Sequence, residues 1–146
     1  MIYEINHSCG HVESVQIYGT NVHGERDRKV AYLESQPCKE CRRAAAAEAN
    51  AAAGMSSLSG SPKQVAWAEE IRAEASEKVR AAMERQISEG ERAGMPAEQI
   101  EAARGLLDGT LHELGMETSA AWWIDEGRGM SADALGQRFA KMALSR

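Results

Sequence analysis

The chain has 146 residues, a formal net charge of −5 and an apolar fraction of 43% that contains a single Phe. The length suits one ordinary domain, or a small one with helical appendages, and the Ala-rich apolar set favours close-packed helices over a β-sandwich. The acidic balance excludes a protein that coats nucleic acid non-specifically.

Taken in chain order, "MIYEIN" alternates as a short strand, with Ile2, Tyr3 and Ile5 as its apolar residues. "HVESVQIYG" is a second, β-branched-rich strand ending at Gly19, and the tight "HSCGH" between them places Gly10 where positive φ is wanted. "GTNVHG" has turn chemistry. "ERDRKVAYLES" predicts one short helix with Val30 and Leu33 inward. After Pro37, Cys38 and Cys41, "RRAAAAEANAAAG" predicts a helix closed by Gly54, the other reading being a partly ordered linker. "MSSLSGS" reads as a flexible break.

Ser61, Pro62 and Gln64 form a capping box with Pro at the first helical position. The helix they open repeats Ala68, Ile71, Ala75, Val79, Met83 and Ile87 at three to four residues, and Gly90 and Gly94 end it. A helix after Met95-Pro96 has the stripe Ile100, Ala103, Leu107, Leu111 and Leu114. "TSAAWWIDEGRG" is a short helix or turn, and Ser131 caps a last helix with Leu135, Phe139 and Met142. The expected fold is mostly α with a small N-terminal β head of zinc-ribbon or treble-clef type. Residues 1–43 form the head and 44–60 an Ala-rich helix and Ser/Gly linker. Residues 61–146 form a helical body, either a bundle or extended.

The chemistry-bearing residues lie in the head. Residues 1–43 carry six acidic and six basic side chains, so the excess acid belongs to residues 44–146. No run approaches the ~18 apolar residues needed to span a bilayer, and "MIYEINHSCGH" lacks the layout of a signal peptide. The expectation is a soluble cytoplasmic protein without membrane contact. In a reducing compartment a CxxC serves a metal or catalysis more often than a disulfide, and the odd cysteine count argues the same way. A head of this size cannot hold itself together by burial alone, whereas a structural zinc site contributes roughly 10–16 kcal/mol of apparent binding energy to folding.

Structural zinc takes four N/S ligands in a tetrahedron. Cys38 and Cys41 supply two thiolates with knuckle spacing, and Cys9 a third. His11 is the expected fourth ligand, because Gly10 lets the chain turn Cys9 and His11 toward one point. His7 is equally two residues from Cys9, and His23 lies in a loop within reach, so spacing leaves all three open. A redox CxxC would need a βαβ context, which is missing. A deaminase-type zinc enzyme would pair His-x-Glu with Pro-Cys-x-x-Cys. "PCKEC" fits the second half, and "HVE" matches the first in letters, but its context suits a knuckle better.

Two weaker sets complete the candidates. Arg26, Arg28, Lys29, Lys39, Arg42 and Arg43 cluster around the cysteines and could meet phosphates, although Glu25, Asp27 and Glu40 interleave with them. Trp122 and Trp123 point about 100° apart on a helix, so one of them is a candidate partner contact.

Together "CGH", the strand ending in "IYG", the CxxC, "GSPKQVAWAEEIR" and "AWWID" make the chain resemble small uncharacterised proteins carried by phages, plasmids and integrative elements of bacteria. The likeness spans most of the chain, whose body is richer in Ala and Gly. It implies metal ligation by Cys9, His11, Cys38 and Cys41 and a mobile-element setting, and it carries no activity. The resulting expectation is a non-catalytic, zinc-stabilised adaptor that acts on a nucleic-acid-handling complex or on nucleic acid itself, its body binding a partner or a second copy. The alternatives are an inhibitor of a host defence nuclease and a zinc hydrolase or deaminase.

Overall fold

The computed structural model describes residues 1–146. Six α-helices follow a two-stranded antiparallel hairpin: β1 (Ile2–Asn6), β2 (Val12–Gln16), α1 (Glu25–Glu34), α2 (Lys39–Ala52), α3 (Pro62–Arg92), α4 (Ala97–Met116), α5 (Ala120–Asp125) and α6 (Ala132–Leu144), with a 3₁₀ turn at Gly127–Gly129. The fold is thus mostly α with a small β head, as the sequence leads one to expect. The chain divides into two compact units, Met1–Ala45 and Ala46–Arg146, and the boundary falls inside α2. No helix is long and apolar enough to cross a membrane.

In the first unit the pairs run from Ile2 with Gln16 to Asn6 with Val12. Alternation puts Tyr3, Ile5, Val15 and Ile17 on the face that α1 covers, and leaves Ile2, Glu4, Asn6, Val12, Ser14 and Gln16 exposed. Burial is meagre: Ile5, Ile17, Cys38 and His7 are the only buried residues. The Ala run is helical throughout α2, as its propensity dictates.

In the second unit α3 begins with the full capping box: Ser61 Oγ accepts from Gln64 N–H, and Gln64 Oε1 accepts from Ser61 N–H. Its stripe Ala68, Ile71, Ala75 and Val79 packs with Leu114 of α4, Ala120 and Trp123 of α5, and Leu135 and Phe139 of α6. Gly127 is required by close approach. A Cβ there would lie 2.5 Å from Trp123 Cε3 and 3.0 Å from Trp122.

The stretch 55–60 is not the flexible break its composition implies. Ser56 N–H donates to Gly115 O, Ser59 N–H to Thr118 O, and Ala120 N–H to Ser59 O, while Leu58 packs on the core. The tie is made by buried Arg72, whose Nη1 donates to the carbonyls of Ser56 (2.8 Å) and Gly115 (3.3 Å). Its Nη2 pairs with Glu69 at 2.9 Å, and Glu69 also accepts from Asn50 at 2.6 Å. Burial lowers the Arg72 pKa and the Glu69 carboxylate opposes that shift, so the pair satisfies two groups that neither could leave unpaired.

Candidate metal centre

Two short segments build the site. The first is the knuckle after β1. Gly10 has φ +88°, and its N–H donates to His7 O while His7 N–H donates to His11 O, both at 2.9 Å. Cys9 and His11 are thereby turned to one point. The second is the start of α2, where Arg42 N–H donates to Cys38 O. Cys38 and Cys41 are three residues apart, so one helical turn puts both on one face. Ser8 N–H donates to Gln36 O at 3.2 Å and links the knuckle to the loop before the CxxC.

The donor atoms of Cys9, His11, Cys38 and Cys41 all lie within 4.8 Å of one another. His11 Nδ1 is 3.3 Å from Cys9 Sγ, 3.5 Å from Cys38 Sγ and 3.3 Å from Cys41 Sγ. One imidazole nitrogen has a single proton or a single lone pair, and cannot hydrogen-bond three sulfurs at once. Three thiols around one nitrogen is instead the arrangement of ligands about a common cation. Cys38 is buried, Cys9 and Cys41 are half-buried, and His11 is exposed.

The electrostatics agree. Backbone N–H groups draw the Cys9 thiol down to about 6, with Cys38 N–H, which donates to Cys9 Sγ at 3.2 Å, the larger cause and His11 N–H the next. The Cys41 thiol is pushed up to about 11, chiefly by its hydrogen bond to Cys38 and by burial. Thiolates this close repel, and a cation between them removes the conflict.

The other two histidines lie outside the set. His7 is buried, its Nδ1 donating to the carbonyls of Leu33 (3.0 Å) and Gln36 (3.1 Å) and its Nε2 meeting Glu13 Oε1 at 2.9 Å. Both nitrogens are taken, and the Glu13 carboxylate raises its pKa. His7 therefore ties the hairpin to the turn that leads into the CxxC. Its partner was findable: across an antiparallel ladder that pairs His7 with His11, Glu13 is the diagonal neighbour on the same face. The anchoring carbonyls of Leu33 and Gln36 leave no mark in the sequence. His23 stays in its loop, where its N–H donates to Glu25.

Of the basic candidates, Arg26, Arg28 and Lys29 are on α1, and Lys39, Arg42 and Arg43 on the first turns of α2. Arg28 Nη1 donates to His23 O, and Lys29 lies 5.4 Å from the Tyr32 ring. The tryptophan expectation is corrected for Trp123. It is fully buried, its Nε1 donates to Glu117 O at 3.0 Å, and it stacks on Phe139, so it is core and not a partner contact. Trp122 is half-buried, set edge-on to Trp123 and covered by the Arg138 guanidinium at 4.5 Å.

Comparison with protein-family models, with curated proteins and with solved structures returns no significant match.

Proposed function

We propose that the chain is a non-catalytic binding protein whose head is held by one zinc ion on Cys9, His11, Cys38 and Cys41. It acts as an adaptor of a mobile genetic element on a complex that handles nucleic acid. The observation that carries the metal reading is the set of three sulfurs around His11 Nδ1. Zinc with S ligands at ~2.3 Å and N ligands at ~2.0–2.1 Å has tetrahedral S–N edges of about 3.5 Å, against 3.3 to 3.5 Å here. Soft thiolates with one imidazole also suit zinc among the common metals. The bound ion would supply folding energy to a unit with little else to bury.

Four protein donors fill a tetrahedron and leave no position for an activated water. Glu13, the carboxylate that a His-x-Glu enzyme would need as its base, is held by His7. Both points support a staple over a hydrolytic centre. The adaptor role rests on the exposed surface of the head, and the mobile-element setting on the motif resemblance.

Native mass spectrometry of the purified protein is expected to show one zinc per chain, lost in Cys38→Ser. A fully folded head without metal would overturn the reading. Affinity purification from the native host, with and without nuclease treatment, is expected to recover nucleic-acid-handling proteins. Recovery of the chain alone would sink the adaptor role.

A further inference from the structure

The hairpin carries a bare strand edge beside a basic groove. Ile17 N–H donates to Met1 O at 3.1 Å, and His7 N–H to His11 O. The hydrogen-bonded pairs therefore run Met1 with Ile17, Tyr3 with Val15, Ile5 with Glu13 and His7 with His11. The N–H and C=O groups of Val12, Ser14 and Gln16 point away from β1, and the sheet has no third strand to receive them. Such an edge is a template for another chain. β2 has neither Pro nor Lys nor a bulge in its sequence VESVQ; its short length and Glu13 are its only edge safeguards.

Alongside the end of β2 lies a groove of about 470 Å³, with Val15, Ile17 and Tyr18 on the strand side and Glu25, Arg26 and Lys29 on the α1 side. Tyr18 is 83% exposed. Neither cation has a carboxylate partner. Arg26 Nη1 donates to Met1 Sδ at 3.8 Å, its Nε is sheltered without a partner, and Lys29 rests over Tyr32. Of the acids on the same helix turn, Glu25 lines the groove and accepts from His23 N–H, and Asp27 accepts from the Asn21 amide. The groove thus offers strand-pairing groups, an apolar wall and two cations against one carboxylate, a net positive charge.

We propose that this groove takes an extended acidic peptide segment of a protein partner, added to the free edge of β2 as a third strand with a carboxylate against Arg26 and Lys29. The inference rests on the adaptor reading and names its partner's chemistry. Main-chain pairing would supply affinity, and the groove with its cations would supply the choice of side chains. A single strand of nucleic acid would meet the same cations, but it would leave the backbone groups of the strand edge unused.

The test uses the full-length, zinc-loaded chain and a phage-displayed library of short random peptides. Selected peptides are expected to alternate β-branched and acidic residues. Their binding, read by fluorescence anisotropy, is expected to fall about tenfold or more in the R26E/K29E double variant. N-methylation of alternate peptide nitrogens is expected to abolish binding to the unaltered protein, which keeps the test valid if the variant folds poorly. Amide NMR signals of Val12, Ser14 and Gln16 should move on binding. Selected peptides without acidic residues, binding indifferent to R26E/K29E or to N-methylation, or oligothymidylate shifting the same amides would overturn the proposal. Zinc is measured on the same samples. A failed staple shows as a zinc-free protein, and a failed groove as a zinc-loaded protein that enriches no acidic peptide.

Discussion

The two units reach order by different means. In Ala46–Arg146 the core is continuous, from Ala68 and Val79 to Trp123 and Phe139, with capped helices around it. In Met1–Ala45 only Ile5, Ile17, Cys38 and His7 are buried, while Met1, Ile2, Val12, Tyr18, Val22 and Tyr32 are large hydrophobics left in solvent. Hydrophobic burial accounts for the second unit and cannot account for the first, where the ordered features converge on four donor atoms. A unit with so little core depends on whatever those donors hold, and its unburied apolar and strand-edge groups remain available to a partner.

The largest expected effect breaks the comparison on one side only. Chelation should unfold the head, because a structural zinc site contributes roughly 10–16 kcal/mol of apparent energy. NMR spectra should lose the dispersed signals of residues 1–45, while helical circular dichroism keeps the share due to the second unit. On the other side, Trp123→Ala should cost about 3–5 kcal/mol, read as a lower denaturation midpoint of the helical signal with zinc content unchanged. Arg72→Ala should cost a similar amount, about 3–5 kcal/mol, since it leaves Glu69 buried without its partner. It should also raise hydrogen exchange at Ser56 and Ser59. Gly127→Ala should cost about 1–3 kcal/mol by forcing a methyl against Trp123. Ser61→Ala should cost about 1 kcal/mol through loss of the α3 cap. The last three, measured by urea unfolding, should leave zinc binding untouched.

What the sequence shows of this molecule follows the range of the interactions involved. The α3 cap, the apolar stripes and the Cys38–Cys41 pair are local patterns with fixed spacings, and each stands where it was expected. The His11 expectation rested on Gly10, and the positive φ at Gly10 accompanies the turn that brings His11 to the three sulfurs. Spacing alone could not separate His7 from His11, because His7 is set aside by carbonyls 26 and 29 residues away. The Ser/Gly stretch read as a linker for the same reason. Its composition is that of a flexible segment, and its order comes from Arg72 and Gly115, distant in sequence. Thr110 lies on the α4 stripe between Leu107 and Leu114, its hydroxyl satisfied by Leu106 O; Glu113 is buried beside that stripe and satisfied by Arg146, another long-range tie.

X-ray absorption at the zinc edge of the purified, unaltered chain reads the four donors of the head themselves. Three sulfurs at about 2.3 Å and one nitrogen at about 2.0–2.1 Å are expected, with the nitrogen scatterer lost in His11→Ala and kept in His7→Gln. A shell containing oxygen, or a nitrogen that survives His11→Ala and disappears in His7→Gln, would contradict this donor set.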